Sequence, residues 1–393
     1  MQFGLNIHDR LKGEKYIWLV MLILPVFSAL VVYSATGGLA YTAQGGNTEY
    51  YFLKHLGILA MGLGLLWTFY RVHYMFFAKV SGILLLTAIV LLVLTLVAGV
   101  EINGARRWLR IPIVDMTFQT SDFAKLALVI YLATQLSLNR SCLANLKTAF
   151  VPVLLPIVLV CALIAPADLS TALMLFLTCF TLMFVGQMNL KILGSMVMVG
   201  ILVVSLIFVW GAYFPDLIRS ETWTSRVMAF KTGGGDTYQV DQAKIAIAGG
   251  GLTGVGPGNS VQRNFLPSPY ADFIYAIIAE EYGFFGGILV LFAFMFIFFR
   301  SISLVKNSPK AFGALLAVGL SVMLTLQALL NMAVSVNLLP VTGLTLPLIS
   351  MGGTSVIFAC ISIGMILSVG RHVVGDVPED KLVKTEVEYE STD

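Results

Sequence analysis

Apolar runs recur from one end of this 393-residue chain to the other, and a run of about twenty such residues is what crosses a bilayer as a helix. We read ten of them, at 17–36, 51–70, 74–99, 123–139, 149–165, 169–187, 191–212, 271–299, 311–335 and 343–369. Only helices and closed barrels satisfy their backbone polar groups in lipid. The chain therefore reads as an all-α integral membrane protein, a bundle of ten transmembrane helices. Composition agrees, with 58% hydrophobic and 11% charged residues and a mean hydropathy of +0.90. A soluble globular domain is excluded and no nucleic-acid partner is expected. Arg10, Lys12 and Lys15 precede the first run and no small-residue cleavage site follows it, so it reads as a retained span.

One polytopic domain is expected over 1–370. Residues 371–393 carry Asp376, Glu379, Asp380, Glu386, Glu388, Glu390 and Asp393, and read as a disordered cytoplasmic tail. Cys142, Cys161, Cys179 and Cys360 lie in or beside apolar runs and read as small apolar residues, not as a disulfide or metal set.

The distribution of Lys and Arg sets the expected orientation. With the N-terminus inside, short inner loops collect Arg71, Lys79, Arg140, Lys147, Lys191, Arg300, Lys306 and Lys310. An even span count returns the C-terminus to the cytoplasm. The long segment 213–270, between the seventh and eighth spans, and a polar loop at 100–122 then lie outside. "NGARRWLR" in that short loop holds Arg106, Arg107 and Arg110 against the insertion bias. A phosphate-bearing ligand at the outer face is the natural reason for them.

Polar residues within the spans carry the chemistry. Lys125 sits one turn into the fourth span, where it either faces a cavity or carboxylate or snorkels to the interface. Asp168 in "PADLSTA" caps the sixth span or serves a ligand. The glycines at 249–251, 254, 256 and 258 lack the ending of a nucleotide motif and suggest a flexible re-entrant or interfacial segment whose N–H groups hold an anion. Pro340, Pro347 and Gly352–Gly353 break the helix at membrane depth, which is tolerated only beside protein or a wet cavity. "NFLPSPYADFIYAIIAEEYG" places Asp272 at a helix mouth, where the dipole would keep a carboxylate ionised, and Glu280 two turns deeper on the same half of the helix, with Glu281 opposite. We expect Asp272 and Glu280 to line one cavity facing Lys125.

These stretches are recognisable. "NGARRWL", "FQTSDFAKLAL", "ADLSTAL", "GGLTGVGPGNSVQ", "LPSPYADFIYAIIAEEYGFFGG" and "NLLPVTGLTLPLISMGGTS" together resemble the SEDS family of peptidoglycan glycosyltransferases, which includes FtsW, RodA and SpoVE. The resemblance covers nearly the whole chain. "GNSVQ" is more similar to the FtsW branch, of the kind found in Bacteroidetes-type bacteria. Ser268, Tyr270 and Ala271 stand where the family has Glu, His and Thr, Thr120 and Asp122 stand in its "QPSE" position, and "ISMGGTS" replaces "ISYGGSS".

The resemblance implies polymerisation of lipid II into glycan strands by inverting transfer at the outer face of the cytoplasmic membrane, during cell division. Asp272 is the candidate catalytic base. Arg107, Arg106 and Lys125 are the candidates to assist the lipid-pyrophosphate leaving group. Glu280, Asp168 and Ser350 complete the candidate substrate-binding set. No metal ligands are read; a divalent cation, Mg or Mn, stays open as a cofactor. The implied partners are lipid II, a class B penicillin-binding protein acting as transpeptidase, other divisome membrane proteins and membrane lipid. A lipid II flippase, an elongation-type RodA polymerase and a scaffold are the competing readings. A flippase needs a polar path to both faces, whereas the unusual charges here cluster on one.

Overall fold

A computed structural model describes residues 15–39, 47–102, 105–111, 116–138, 149–213, 220–232, 237–307 and 310–375. Apolar helices stand where the hydropathy runs placed them. They are α1 (Lys15–Ala35), α2 (Thr48–Arg71), α3 (Met75–Ala98), α4 (Thr120–Leu138), α5 (Phe150–Ile164), α6 (Leu169–Val185) and α7 (Leu190–Tyr213). After two helices of the long segment, α8 (Ser220–Thr232) and α9 (Tyr238–Gly250), come α10 (Ile274–Asn307), α11 (Ala311–Ser335) and α12 (Thr354–Gly375). Seven of these helices are long and apolar enough to cross a membrane. The others in the bundle are the shorter α5 and α6, and α4, which carries Asp122 and Lys125 in its first two turns. Helix α12 runs five residues past 370, and the acidic tail beyond it lies outside the described residues.

Burial ranks the helices. The apolar windows of α11 and α12 are 78% and 83% buried, against 17% for α7, so α11 and α12 form the centre and α7 the lipid-facing edge. Helix α12 lies directly on α2 because position 364 is glycine. A Cβ there would stand 2.6 Å from the Leu66 carbonyl oxygen, so only a small residue allows the two backbones to touch. Cys161, Cys179 and Cys360 are free and buried in this core, as their apolar surroundings suggested, and Cys142 lies outside the described residues.

Three regions depart from a plain bundle. The 100–122 loop is a three-stranded antiparallel sheet of β1 (Val100–Ile102), β2 (Ala105–Ile111) and β3 (Met116–Gln119), with Trp108 opposite Gln119. The last span begins at Thr354, because residues 336–353 form no helix; Gly343 and Gly353 have φ of 72° and 54°, and Leu348, following Pro347, has φ of 63°. Helix α10 is interrupted at Gly283 (φ 67°, ψ −165°).

That interruption binds the glycine-rich segment. Val255 and Gly256 donate to the carbonyls of Glu280 and Glu281 at 3.0 Å each, while Phe284 and Phe285 donate to Gly251 and Leu252 at 2.9 and 3.4 Å. A Cβ on Gly283 would lie 2.4 Å from the Gly254 nitrogen, so no larger residue fits. The segment expected to be flexible is thus fastened to α10 by bonds that an unbroken helix would have kept for itself.

Candidate active site

Asp272 lies in the turn before α10, outside the helix, so the helical-wheel relation to Glu280 does not hold. The turn is clamped by the broken stretch between α11 and α12. The Ser350 hydroxyl donates to the Ala271 carbonyl at 2.5 Å and accepts from the Leu346 amide at 2.8 Å. The Met351 amide donates to the Tyr270 carbonyl at 2.9 Å. Asn331 Nδ2 donates to the carbonyls of Asp272 and Leu344, both at 2.7 Å. Ser350 is therefore a support of the turn, a role its place in the sequence did not reveal.

The Asp272 side chain is partly exposed, yet its Oδ1 is enclosed and has no hydrogen-bond partner. Burial pushes its pKa up to about 6; its own backbone amide and the charges of Arg226 and Arg107 act against that, in that order. This corrects the expectation of a depressed pKa at a helix mouth: desolvation outweighs the dipole. Arg226, on α8, is one of several basic residues in the long outer segment that the sequence leaves undecided, because long loops tolerate basic residues. Its Nη1 donates to the Val341 carbonyl at 3.2 Å. It borders a cavity of about 270 Å³ shared with Thr237, Asp241, Lys244, Asn337 and Pro340.

The sheet sorts the arginines. Alternation along β2 sends Arg107 inward and leaves Arg106 and Arg110 exposed. Arg107 Nη1 meets Asp168 Oδ2 at 3.0 Å and its Nε donates to the Ala167 carbonyl at 2.9 Å. Asp168 Oδ1 accepts from the Thr171 amide at 3.0 Å, so the residue both caps α6 and holds Arg107. Arg106 pairs loosely with Glu101 at 3.8 Å on the surface. The cleft these residues share holds only about 20 Å³, room for one water and not for a diphosphate.

Lys125 and Glu280 do not pair with one another; each is held by other residues. Lys125 Nζ pairs with Asp122 Oδ1 at 2.8 Å and donates to Gln327 Oε1 at 3.1 Å, and all three side chains are buried. Its charge is answered by a neighbour one turn away, so it neither snorkels nor reaches Glu280. Glu280 instead accepts from the Ser260 hydroxyl and from the amides of Val261 and Gln262 at 2.9 and 3.2 Å. The glycine-rich segment does cradle an anion, and that anion is the protein's own carboxylate. Glu281, expected to face away, accepts from the Ser34 hydroxyl of α1. Among the described residues, no three His, Cys, Asp or Glu side chains meet as a metal site.

Comparison with known proteins gives the same lineage as the motifs. The cell cycle protein family model of FtsW, RodA and SpoVE matches residues 14–374. The probable peptidoglycan glycosyltransferase FtsW of Coxiella burnetii is 34% identical, over 90% of this chain and 95% of its own. Stage V sporulation protein E of Bacillus subtilis is 33% identical, over 90% and 96%. Among solved structures, a chain of a peptidoglycan synthase complex studied for its coordination of polymerization and crosslinking superposes with a TM-score of 0.71 at 24% identity, covering 93% of this chain and 99% of that one. The rod shape determining protein RodA of Thermus thermophilus gives 0.65 at 23%, covering 91% and 97%. With its motifs, its helices and a model match running from the first span to the last, the chain belongs to the FtsW/RodA/SpoVE family.

Proposed function

We propose that this protein is a peptidoglycan glycosyltransferase that polymerises lipid II, with Asp272 as general base. Relatives named as glycosyltransferases support the reaction class. The observation that carries the role of Asp272 is its unpartnered, enclosed Oδ1 in a turn clamped from behind, under the charges of Arg226 and Arg107. With a pKa near 6, the carboxylate is ionised at neutral pH yet basic enough to take a proton in a transition state.

In the proposed step the acceptor's 4-hydroxyl oxygen attacks the donor's anomeric carbon. Its proton passes to Asp272. The lipid diphosphate departs with the electrons of the glycosidic bond, and configuration inverts. Arg107 supplies countercharge to the departing diphosphate, with Arg106 at the rim. Lys125, its charge answered by Asp122, would have to leave that pair to assist the diphosphate. The narrow Arg107 cleft would have to widen to admit the diphosphate. A divalent cation, Mg or Mn, would have to be held chiefly by that diphosphate, since no ligand cluster is built among the described residues.

We further propose the FtsW-type role in division, on "GNSVQ", with both termini cytoplasmic, the 213–270 segment outside and enrichment at the septum. The partner is a class B penicillin-binding protein, in keeping with the synthase complex that the fold resembles. Purified protein, with and without that partner, is given lipid II and assayed for glycan strands. Wild type should make strands, and Asp272→Asn should make none while inserting and binding the partner normally. Full activity of Asp272→Asn removes the general base. Inactive wild type with its partner present moves the reading to a flippase. A fluorescent fusion spread along the cell sides would reject the division role.

A further inference from the structure

We propose that Asn331 and Gln327 are positioning residues that hold Asp272 and Lys125 at a fixed separation, with the backbone at 344–345 as their common support. The two amides stand one turn apart on α11 and so share a face. Both are buried, at 1% and 5% exposure.

Each amide makes two contacts, Asn331 both through its NH₂, leaving its Oδ1 without a partner, and Gln327 one through each end. Asn331 Nδ2 donates to the Leu344 carbonyl and to the Asp272 carbonyl. Gln327 Nε2 donates to the Thr345 carbonyl at 2.9 Å, while its Oε1 accepts from Lys125 at 3.1 Å. The chemistry fixes both orientations. Turning Asn331 over would set its oxygen against two carbonyl oxygens, and turning Gln327 over would set its NH₂ against an ammonium.

A purely structural account explains half of this. The 344–345 carbonyls lie in non-helical backbone within the bundle and need donors. Capping them requires one hydrogen from each side chain. It does not require the second Asn331 hydrogen to lie on the backbone of the candidate base, nor the Gln327 oxygen to lie on the buried ammonium. Those second contacts connect Asp272 to Leu344 and Lys125 to Thr345, adjacent residues of one non-helical stretch. The stretch is held in turn by Ser350, and Asp122, the ion-pair partner of Lys125, accepts from Thr354 at 3.5 Å. No titratable residue lies in 311–353, so the frame is neutral. The charges acting on Asp272 come from Arg226 on α8 and Arg107 on β2, with Tyr270 beside it in its own turn.

The inference rests on the polymerase reading, and its test separates the two. Asn331→Leu and Gln327→Met keep volume and remove the hydrogen bonds; Asn331→Ser keeps one hydroxyl donor. Each full-length variant is assayed with its partner protein on lipid II across pH, beside Asp272→Asn. For Asn331→Leu we expect kcat to fall about a hundredfold, the scale of a misplacement of about 1 Å, with KM nearly unchanged. The acid limb of the pH–rate profile should move below the wild-type position near 6, because a released turn lets water reach Asp272. Asn331→Ser should fall between, and Gln327→Met should lower kcat with the limb in place. Wild-type kcat in folded Asn331→Leu, with Asp272→Asn inactive, overturns the positioning role and leaves the polymerase reading standing. So does a loss of kcat with the limb unmoved in Asn331→Leu, since instability reduces the active fraction without changing the base. Should Asn331→Leu fail to insert, Asn331→Ser carries both readouts. Activity in Asp272→Asn would instead remove the reading beneath.

Discussion

Asp272→Asn should do two things at once: abolish polymerisation and stabilise the protein at neutral pH. The carboxyl titrates at about 6 in the folded protein against 3.8 for an ordinary aspartate, chiefly because burial disfavours its charged form. Roughly two units, at about 1.4 kcal/mol each, correspond to about 3 kcal/mol. The side chain is partly exposed, so screening reduces the expected gain to about 1–3 kcal/mol. The sign follows from linkage. A group whose folded pKa lies above its unfolded one contributes stability that is full below the unfolded value, about 3.8, and lost as pH rises through the folded value, about 6. Asparagine never ionises, so the variant's advantage should be full above pH 6 and shrink toward nothing near pH 4. Thermal midpoints of wild type and variant, measured in one detergent from pH 4 to 8, read this directly. The expected difference is a few degrees at the upper end. A variant no more stable than wild type at pH 8, or an advantage that does not change with pH, would refute the desolvated-base argument.

Other expectations follow from the same contacts. Arg107→Ala should weaken donor use at limiting lipid II. It should also lower stability by about 3 kcal/mol, because it leaves Asp168 buried without its partner; Arg107→Lys should recover only part of both, lacking the planar fork. Unchanged polymerisation by Arg107→Ala removes it from the site. Glu280→Gln should loosen the 260–262 loop, seen as faster proteolysis or amide exchange there, with a smaller loss of activity than Asp272→Asn, since it binds loop donors and not the base; an unaltered loop contradicts this. Gly283→Ala should insert poorly or lose the 251–256 docking, and wild-type stability would show that the break in α10 is not required. Single cysteines at Asp236 and Ser391, in a background without native cysteines, should react and not react, respectively, with an impermeant thiol reagent in intact cells; the reverse pattern inverts the orientation.

Helix positions, the break around Pro340 and Pro347 and the family were legible in the chain because each is a local property. Hydropathy over one turn after another, a proline without an amide hydrogen and a run of glycines act through their nearest neighbours. What was not legible shares one cause, which is partnership at long range. Lys125 was read against Glu280, but Asp122, three residues away, and Gln327, on another helix, had already taken its hydrogens. Arg106 and Arg107 looked equivalent until strand alternation put one in water and the other against Asp168. The pKa of Asp272 was read from a dipole, a local cue, when the enclosure of its oxygen by distant segments outweighs it.

The sequence alone was enough to say that the chain is a membrane bundle, because lipid imposes the same demand on every apolar run. Which charges meet was settled by tertiary contacts. A side chain has few hydrogen-bonding atoms, and the partner that occupies them is set by how helices tens or hundreds of residues apart come to rest. Asn331 reaches Asp272 across 59 positions and Ser350 reaches Ala271 across 79. No periodicity in the sequence encodes such a distance.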